Sequence, residues 1–290
     1  MRQTKGEKIF YAINNVLLMI ISIISLYPLL YVLSASLSDP EIVAVGKVWL
    51  LPKGFSIKNY IEVLNYDGIW TAYGNTVIYA VFGTAFSLLT TICLAYPLSK
   101  KRLRGQTLFT FLAAFTMWFS SGMIPTFLNL QSLNLLDSRI GLIVGFSINS
   151  FYMFIMRNYF SSSIPDSLEE SAKIDGANDL YILIRIYLPL ALPCLATLAL
   201  YYMVDRWNGY LWASIIFKTE SKLPLQVLIK KLILDSTWAA SMDGIDTSAN
   251  FNLETLTYAT IVVSVIPMLA VYPWLQKYFV KGLTVGAVKG

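Results

Sequence analysis

Six stretches of this chain are apolar over lengths that match the hydrocarbon core of a bilayer. They run from Phe10 to about Leu37, Tyr73 to Leu98, Thr107 to Leu128, Ile140 to Met156, Pro193 to Phe217 and Leu256 to Tyr278. A membrane-crossing helix needs about 20 mostly apolar residues, and it satisfies its own backbone hydrogen bonds as lipid demands. Barrel strands would instead show alternating segments of roughly ten residues. Of the 290 residues, 56% are hydrophobic and only 13% charged, where a soluble domain carries about 25% charged. That is too little charge to cover a water-facing surface of this size. The expected fold is an all-α polytopic membrane protein with six transmembrane helices. The first run is too long for a signal peptide and no small-residue cleavage site follows it, so it reads as a retained anchor.

Composition removes several chemistries. There is no histidine, which excludes histidine triads, HExxH zinc sites and histidine proton shuttles. Cys93 and Cys194 both lie inside apolar runs and read as buried packing rather than a metal site or a disulfide framework. The net charge of +5 and pI of about 9.0 fit basic loops facing the cytoplasm better than a nucleic-acid partner. A phosphate-binding loop needs GxxxxGK[ST]. The one Gly-Lys pair, Gly46-Lys47, is followed by Val48 and has no glycine at the required offset, so the chain is not expected to bind ATP.

Basic residues set the expected orientation. Arg2, Lys5 and Lys8 precede the first run, and Lys100, Lys101, Arg102 and Arg104 cluster between the second and third. Arg157, Lys173 and Arg185 lie between the fourth and fifth, and Lys277, Lys281 and Lys289 follow the sixth. The short-loop bias places these segments and both termini in the cytoplasm. The outer segments are then 38–72, 129–139 and 218–254. The first contains Asp39, Pro40, Pro52, Gly54, Phe55 and Asn59, and the last Trp238, Asp243, Gly244, Asp246 and Asn250. Such mixtures suit either a solvated loop or a contact surface for an outside partner. The chain is divided as 1–70, an anchor helix with its outer loop; 71–280, the core; and 281–290, a cytoplasmic tail.

The loop between the fourth and fifth runs is the most informative segment. Its physics predicts two short helices. Pro165 suits a first helical position, and Asp166, Glu169 and Glu170 favour the positive end of a helix dipole. Leu168 and Ala172 share a face at i, i+4. Gly176 provides a stop, Asn178 or Asp179 a cap. Leu180, Leu183, Ile184 and Tyr187 supply apolar residues to the second helix, and Pro189 and Pro193 break the chain before the next run. A docking element and an ordinary interfacial connector fit these features equally well.

The spacing Glu170-Ser171-Ala172, then Gly176, then Ile186-Tyr187-Leu188-Pro189 resembles the EAA loop of type I, binding-protein-dependent ABC importer permeases. Ser171 stands where that family has Ala, a small change. The stretch Ile164-Pro165 through Ile174-Asp175-Gly176-Ala177, the pair Trp207-Asn208 and the ending from Gln276 to Gly290 resemble the carbohydrate-uptake branch, and the length of the 218–254 segment resembles the oligosaccharide subgroup. The likeness covers the chain from about Thr71 onward.

The resemblance implies a bacterial cytoplasmic-membrane protein, not an enzyme, that forms one half of a heterodimeric permease. A second permease subunit would sit beside it, a separate ATPase dimer below it using ATP and Mg, and an extracytoplasmic sugar-binding protein above it. Coupling to the ATPase would fall to loop 164–190, through Glu170, Ser171, Ala172, Asp175, Gly176, Ala177, Ile186, Leu188 and Pro189. No cofactor or metal would be bound by this chain, and its surroundings would be lipid. Candidates for the substrate cavity are Tyr201, Asp205, Asn208 and Trp212, at i, i+4, i+7 and i+11 on one face, with Asn149 and Tyr152 from the fourth run. Hydroxyls need directional hydrogen bonds, and aromatic rings cover the C–H face of a pyranose. Asp205 and Arg206 point about 100° apart and need not pair. The same residues would also suit a structural network or the outer interface. Gly141 and Gly145 form a GxxxG pair suited to close packing. The alternatives are an ABC permease for amino acids or peptides, an ion-driven transporter with several buried acids, and an integral-membrane enzyme with a paired acid and base.

Overall fold

The computed structural model describes residues 4–241 and 254–270. The far end of the sixth apolar run, most of the acidic part of the last outer segment and the C-terminal ending lie outside the described residues. Regular structure among the described residues is helical throughout. The helices are α1 (Lys5–Ser36), α2 (Pro40–Ala44), α3 (Lys58–Asn65), α4 (Asp67–Ser99), α5 (Gln106–Trp118), α6 (Met123–Ser132), α7 (Arg139–Gly145), α8 (Ser150–Ser163), α9 (Asp166–Ile174), α10 (Asp179–Ile182), α11 (Leu188–Leu190), α12 (Leu192–Asn208), α13 (Leu211–Ile216) and α14 (Leu225–Ser241). A further helix, α15, spans Glu254–Ala270.

Among the described residues, two helices are long and apolar enough to cross a bilayer unbroken: α1, from Gly6 on, and α4. The third apolar run is not one rod. It divides into α5 and α6, which meet at 117° across Ser120, Ser121 and Gly122. The fourth divides into α7 and α8 at 49°, because Asn149 caps the new helix and its Oδ1 accepts from the N–H groups of Phe151 and Tyr152 at 3.0 and 3.2 Å. Losing such a cap costs about 1 kcal/mol. The fifth run is α12, a break at Gly209 and Tyr210, then α13. Polar or glycine residues mark each break, since there the backbone finds partners other than its own helix. Of the two cysteines, Cys194 is buried as expected, whereas Cys93 is exposed on α4.

The described residues form two compact units, one of 4–70 with 228–241 and 254–266 and one of 71–227 with 267–270. In the first, Ala35, Val43 and Val48 pack with Tyr31 and Tyr258, and Val63, Ile69 and Ala259 form a second cluster. Serines near the end of α1 fasten the following loop: Ser34 Oγ donates to the Leu50 carbonyl at 2.6 Å, and Ser38 Oγ accepts from the Lys53 N–H at 3.0 Å.

The second unit has an apolar core at each end of α4. One joins Ala95, Tyr96 and Leu98 to Met156 and Phe160 of α8, Tyr187, and Cys194 and Leu198 of α12. The other joins Tyr79 to Leu130, Leu142, Ile216 and Phe217. Gly141 is closely packed, but against the loop before α7 rather than a facing helix: a Cβ there would lie 2.1 Å from the Leu135 carbonyl oxygen, so no larger residue fits, while a Cβ on Gly145 would meet only the end of the Leu130 side chain, at 3.1 Å. At this second end Asp137 clasps the 218–222 loop. It accepts from the N–H groups of Lys218 and Thr219 (both 3.1 Å), from Thr219 Oγ1 at 2.6 Å and from Lys222 Nζ at 2.9 Å. These bonds, the Thr219 hydroxyl first and then Lys222, hold its carboxyl far below the usual carboxylate range.

Candidate functional site

The loop 164–190 folds into a bent elbow. Helix α9 begins after Pro165, which is extended (ψ 136°) and caps the helix from one place earlier than its first position. Asp166 and Glu169 lie in the first turn and Lys173 in the last, both favourable to the dipole. The helix ends at Gly176, whose φ of +81° is the left-handed conformation that a Cβ penalises. There the Gly176 N–H donates to the Lys173 carbonyl at 3.0 Å and the Ala177 N–H to the Ala172 carbonyl at 2.9 Å, closing the helix in a Schellman motif. Asn178 then caps α10, its Oδ1 accepting from the Tyr181 N–H at 2.8 Å. A widened π turn, Leu183–Tyr187, follows, with the Leu188 N–H donating to the Leu183 carbonyl. Pro189, just beyond it, has no N–H for the regular ladder. The chain then turns through 81° into α12.

Of the residues singled out for coupling, Ala172, Asp175, Gly176, Ala177 and Ile186 line one open cleft of about 590 Å³. Glu170 and Ser171 lie on α9 outside it, and Leu188 packs on the apolar core beside α8; Pro189 is exposed, at the second position of α11. The tip is bare, with Ile174 86% exposed beside exposed Asp175 and Gly176. The expected Leu168/Ala172 face is only half right. Leu168 is exposed, and the side chain turned inward one position later is Glu169, 7% exposed.

Glu169 is the centre of an ionic cluster. Lys100 pairs with its Oε2, while Lys173 Nζ and Arg102 Nη2 lie 2.7 and 3.2 Å from its Oε1. The Tyr187 hydroxyl donates to Oε2 at 3.0 Å. Lys100 Nζ also sits 3.6 Å from the Tyr187 ring centroid and 4.7 Å from that of Tyr96, a cation–π arrangement. Arg102 reaches on to Asp179. Burial draws the Lys100 ammonium below its ordinary range, and the bond to Glu169 opposes that shift. Sequence reasoning missed this cluster because α9 carries too few apolar residues to show which face is buried. The tight run of cations at 100–104, with a doublet of acids in the elbow, was the available signal.

A second site is a cavity of about 490 Å³ lined by α7, the residues leading into α8, α12, α13 and Tyr79 of α4. Asn149, Asp205, Asn208 and Trp212 line it, as expected. Tyr201 and Tyr152 do not. They stack on each other, 5.6 Å between centroids, and the Tyr152 hydroxyl donates to Asp205 Oδ2 at 3.0 Å. The rest of the wall includes Tyr79, Phe146 and Tyr210, Tyr202, whose hydroxyl lies 2.7 Å from Thr91 Oγ1, and Arg206. The guanidinium of Arg206 turns to neutral acceptors rather than to Asp205. It donates to the Leu142 and Phe146 carbonyls at 2.6 Å each, to Ile143 at 3.3 Å and to Ser87 Oγ at 3.1 Å. It thus caps the open carbonyl end of α7, where the helix dipole favours a cation. The wall combines hydrogen-bonding groups with aromatic faces, a surface able to take a hydroxyl-rich solute.

Comparison with known proteins decides the family. Residues 94–285 match the family described as binding-protein-dependent transport system inner membrane component. The chain belongs to that family. It is 42% identical over 274 residues to the polygalacturonan/rhamnogalacturonan transport system permease protein YtcP of Bacillus subtilis (strain 168), covering 94% of this chain and 96% of that one. It is 45% identical, at a TM-score of 0.87, to a chain in the crystal structure of a bacterial ABC transporter involved in the import of the acidic polysaccharide alginate, over 96% of this chain and 99% of that one. A further chain, from the alginate transporter in complex with a pentasaccharide-bound periplasmic protein, shares the fold at 17% identity, with a TM-score of 0.67 and coverage of 93% on both sides. As a member of this family the chain is a membrane component of a transport system, and the elbow and cavity are features of a permease.

Proposed function

We propose that this chain is one permease subunit of an ABC importer that takes up sugars or oligosaccharides across the bacterial cytoplasmic membrane. The observation that carries the proposal is the elbow: a capped, bent helix pair with a bare tip, at the EAA spacing. It is built to be gripped by another chain. A separate ATPase dimer, using ATP and Mg, would hold the tip through Asp175, Gly176 and Ala177, with a second permease subunit beside this one. Termini and elbow face the cytoplasm in this reading, the six apolar runs cross the bilayer, and a solute-binding protein delivers cargo at the opposite face. The cavity at Asn149, Asp205, Asn208 and Trp212 lies on the cargo's path. YtcP, named for polygalacturonan/rhamnogalacturonan transport, and the transporter involved in import of the acidic polysaccharide alginate support an oligosaccharide cargo.

ATP bound on a partner biases a permease between two states only through a contact that differs between them. Replacing Gly176 with Leu forces a Cβ onto a backbone at φ +81° and enlarges the gripped tip. Uptake of labelled oligosaccharide should be lost while the variant stays in the membrane. Normal uptake by Gly176→Leu would remove the coupling role. Co-purification of the intact complex, with identification of its chains and bound glycan, tests the cargo; an amino acid or peptide in place of glycan would replace the sugar reading.

A further inference from the structure

Helices α5 and α6 meet at 117°, and the protein satisfies only part of the backbone between them. The Gly122 N–H donates to Ser120 Oγ at 3.3 Å, and the Gly122 carbonyl accepts from Thr126 Oγ1 at 2.8 Å. The N–H groups of Ser120 and Ser121 and the carbonyls of Phe119, Ser120 and Ser121 have no hydrogen-bond partner among the described residues. Residues 118–122 are all exposed. One face of the Phe119 ring is taken, stacked on Phe115 at 4.3 Å between centroids and 12° between planes. The Trp118 ring is bare: it is 86% exposed, and its Nε1 has no acceptor among the described residues.

A helix of 13 residues advances about 20 Å. Starting beside the cation cluster 100–104, α5 breaks about two-thirds of the way through a hydrocarbon core of about 30 Å. The break lies level with the cavity: Thr116 Oγ1 is 2.8 Å from Ser150 Oγ, and Asn149, next to that serine, lines the cavity. Irregular backbone at such a depth does not face lipid; it is buried in protein or lines water. A lipid-facing Trp also favours the membrane interface over the interior. Open carbonyls and N–H groups beside a bare indole match a sugar ring, which needs hydrogen bonds for its hydroxyls and a flat face for its C–H bonds. We propose that Trp118 is a stacking platform for a pyranose ring of the cargo, with the backbone of 119–121 meeting that ring's hydroxyls, and that the break is a second carbohydrate subsite beside the cavity. This rests on the reading of the chain as a sugar permease.

Two measurements test it. In the first, Trp118→Cys in a Cys93→Ser, Cys194→Ala background is carried in the intact complex in vesicles and treated with a charged, water-soluble methanethiosulfonate or a lipid-soluble maleimide. Modification of this chain is read by mass, with and without trapped nucleotide. The charged reagent should react in at least one of the two states. Reaction with the lipid-soluble reagent alone places the break in lipid, and no reaction with either places it under protein; each overturns the platform. In the second, cells take up a panel of labelled oligosaccharides cut from polygalacturonan, rhamnogalacturonan, alginate, arabinan and chitin. Trp118→Phe keeps a flat ring, and Trp118→Leu keeps an apolar side chain without one. The concentration for half-maximal uptake should rise roughly two- to ten-fold in Trp118→Leu, the range of one aromatic stacking contact, and much less in Trp118→Phe, with the assembled complex recovered in equal amount. Equal kinetics for the two variants overturn the platform. Loss of co-purifying subunits from Trp118→Leu gives this face to the second permease subunit and also overturns it. If the unaltered chain takes up none of the panel while the charged reagent still reaches Trp118→Cys, the sugar reading fails instead, and the platform loses its occupant with it.

Discussion

Glu169 and Arg206 are both charges held away from water, and the protein keeps them in opposite ways. Glu169 sits at the elbow among three cations and a tyrosine hydroxyl. Arg206 sits between helices against neutral acceptors, three carbonyls and one hydroxyl. The ionic cluster is redundant, since losing one cation leaves two. The arginine is not, since every acceptor depends on a single guanidinium. A redundant cluster suits a joint that is repeatedly loaded, and a single cap suits a fixed wall.

The comparison breaks most sharply at Arg206. Arg206→Met leaves the α7 carbonyls facing an apolar side chain, and each buried acceptor left unpaired costs about 1–3 kcal/mol. The expected outcome is a large fall in assembled complex and in its melting temperature in detergent, with uptake lost. Arg206→Lys keeps the charge but not the planar fork of donors, so it should recover part of the stability. If Arg206→Met assembles as well as the unaltered chain, the arginine is not a structural cap.

At the elbow the effects should be smaller and graded. Glu169→Gln leaves Lys100 without its buried carboxylate, a loss of about 3 kcal/mol for a buried pair broken on one side. Lys173→Gln removes a half-exposed partner at i, i+4 and should cost under about 1 kcal/mol. Thermal melts of the purified complex would show the ranking. Equal losses would mean that the cluster has no redundancy and that its likeness to the arginine cap is closer than its difference.

The same contrast explains how much was legible in the sequence. The elbow's caps and stop follow from neighbours within a few residues, so Pro165, Gly176 and Asn178 announced it. The apolar runs likewise reported themselves as helices. Their breaks did not, because Ser120–Gly122 and Asn149 read as polar residues inside a span until their hydrogen bonds are seen. Arg206 was visible as a costly charge, but its acceptors lie 60 to 119 residues away, beyond any local pattern. Of the face drawn through Tyr201, Asp205, Asn208 and Trp212, Tyr201 falls outside the cavity because its ring is taken by Tyr152.

A cavity residue should move transport without moving stability. Asp205→Asn keeps an acceptor for the Tyr152 hydroxyl, so the melting temperature should hold. If a sugar hydroxyl donates to this carboxylate, the concentration for half-maximal uptake should rise several-fold, since hydrogen bonds to charged groups contribute about 1.5–3 kcal/mol against roughly 1 for neutral ones. Unchanged uptake kinetics would take Asp205 off the cargo's path and leave it as a support for Tyr152.

The smallest effect is expected at the far clasp. Asp137 is held far below the usual carboxylate range by the Thr219 hydroxyl, Lys222 and the backbone N–H groups of 218 and 219. A carboxyl with a depressed folded-state pKa contributes stability that is complete above its unfolded value, about 3.9, and lost as pH falls through the folded value. Between pH 8 and 5 the clasp is therefore fully ionised, and thiol labelling of a Lys218→Cys variant, in a Cys93→Ser, Cys194→Ala background, should be flat once corrected for the thiol's own titration. Any loosening belongs below about pH 4. Asp137→Asn retains acceptors for the backbone N–H groups but loses the charge facing Lys222, so it should raise the labelling rate modestly at neutral pH and abolish the acid response. A clasp that opens between pH 7 and 5 would mean that its carboxylate is not held by these donors, and the loop at the end of α4 would then be a soft contact rather than a fixed one.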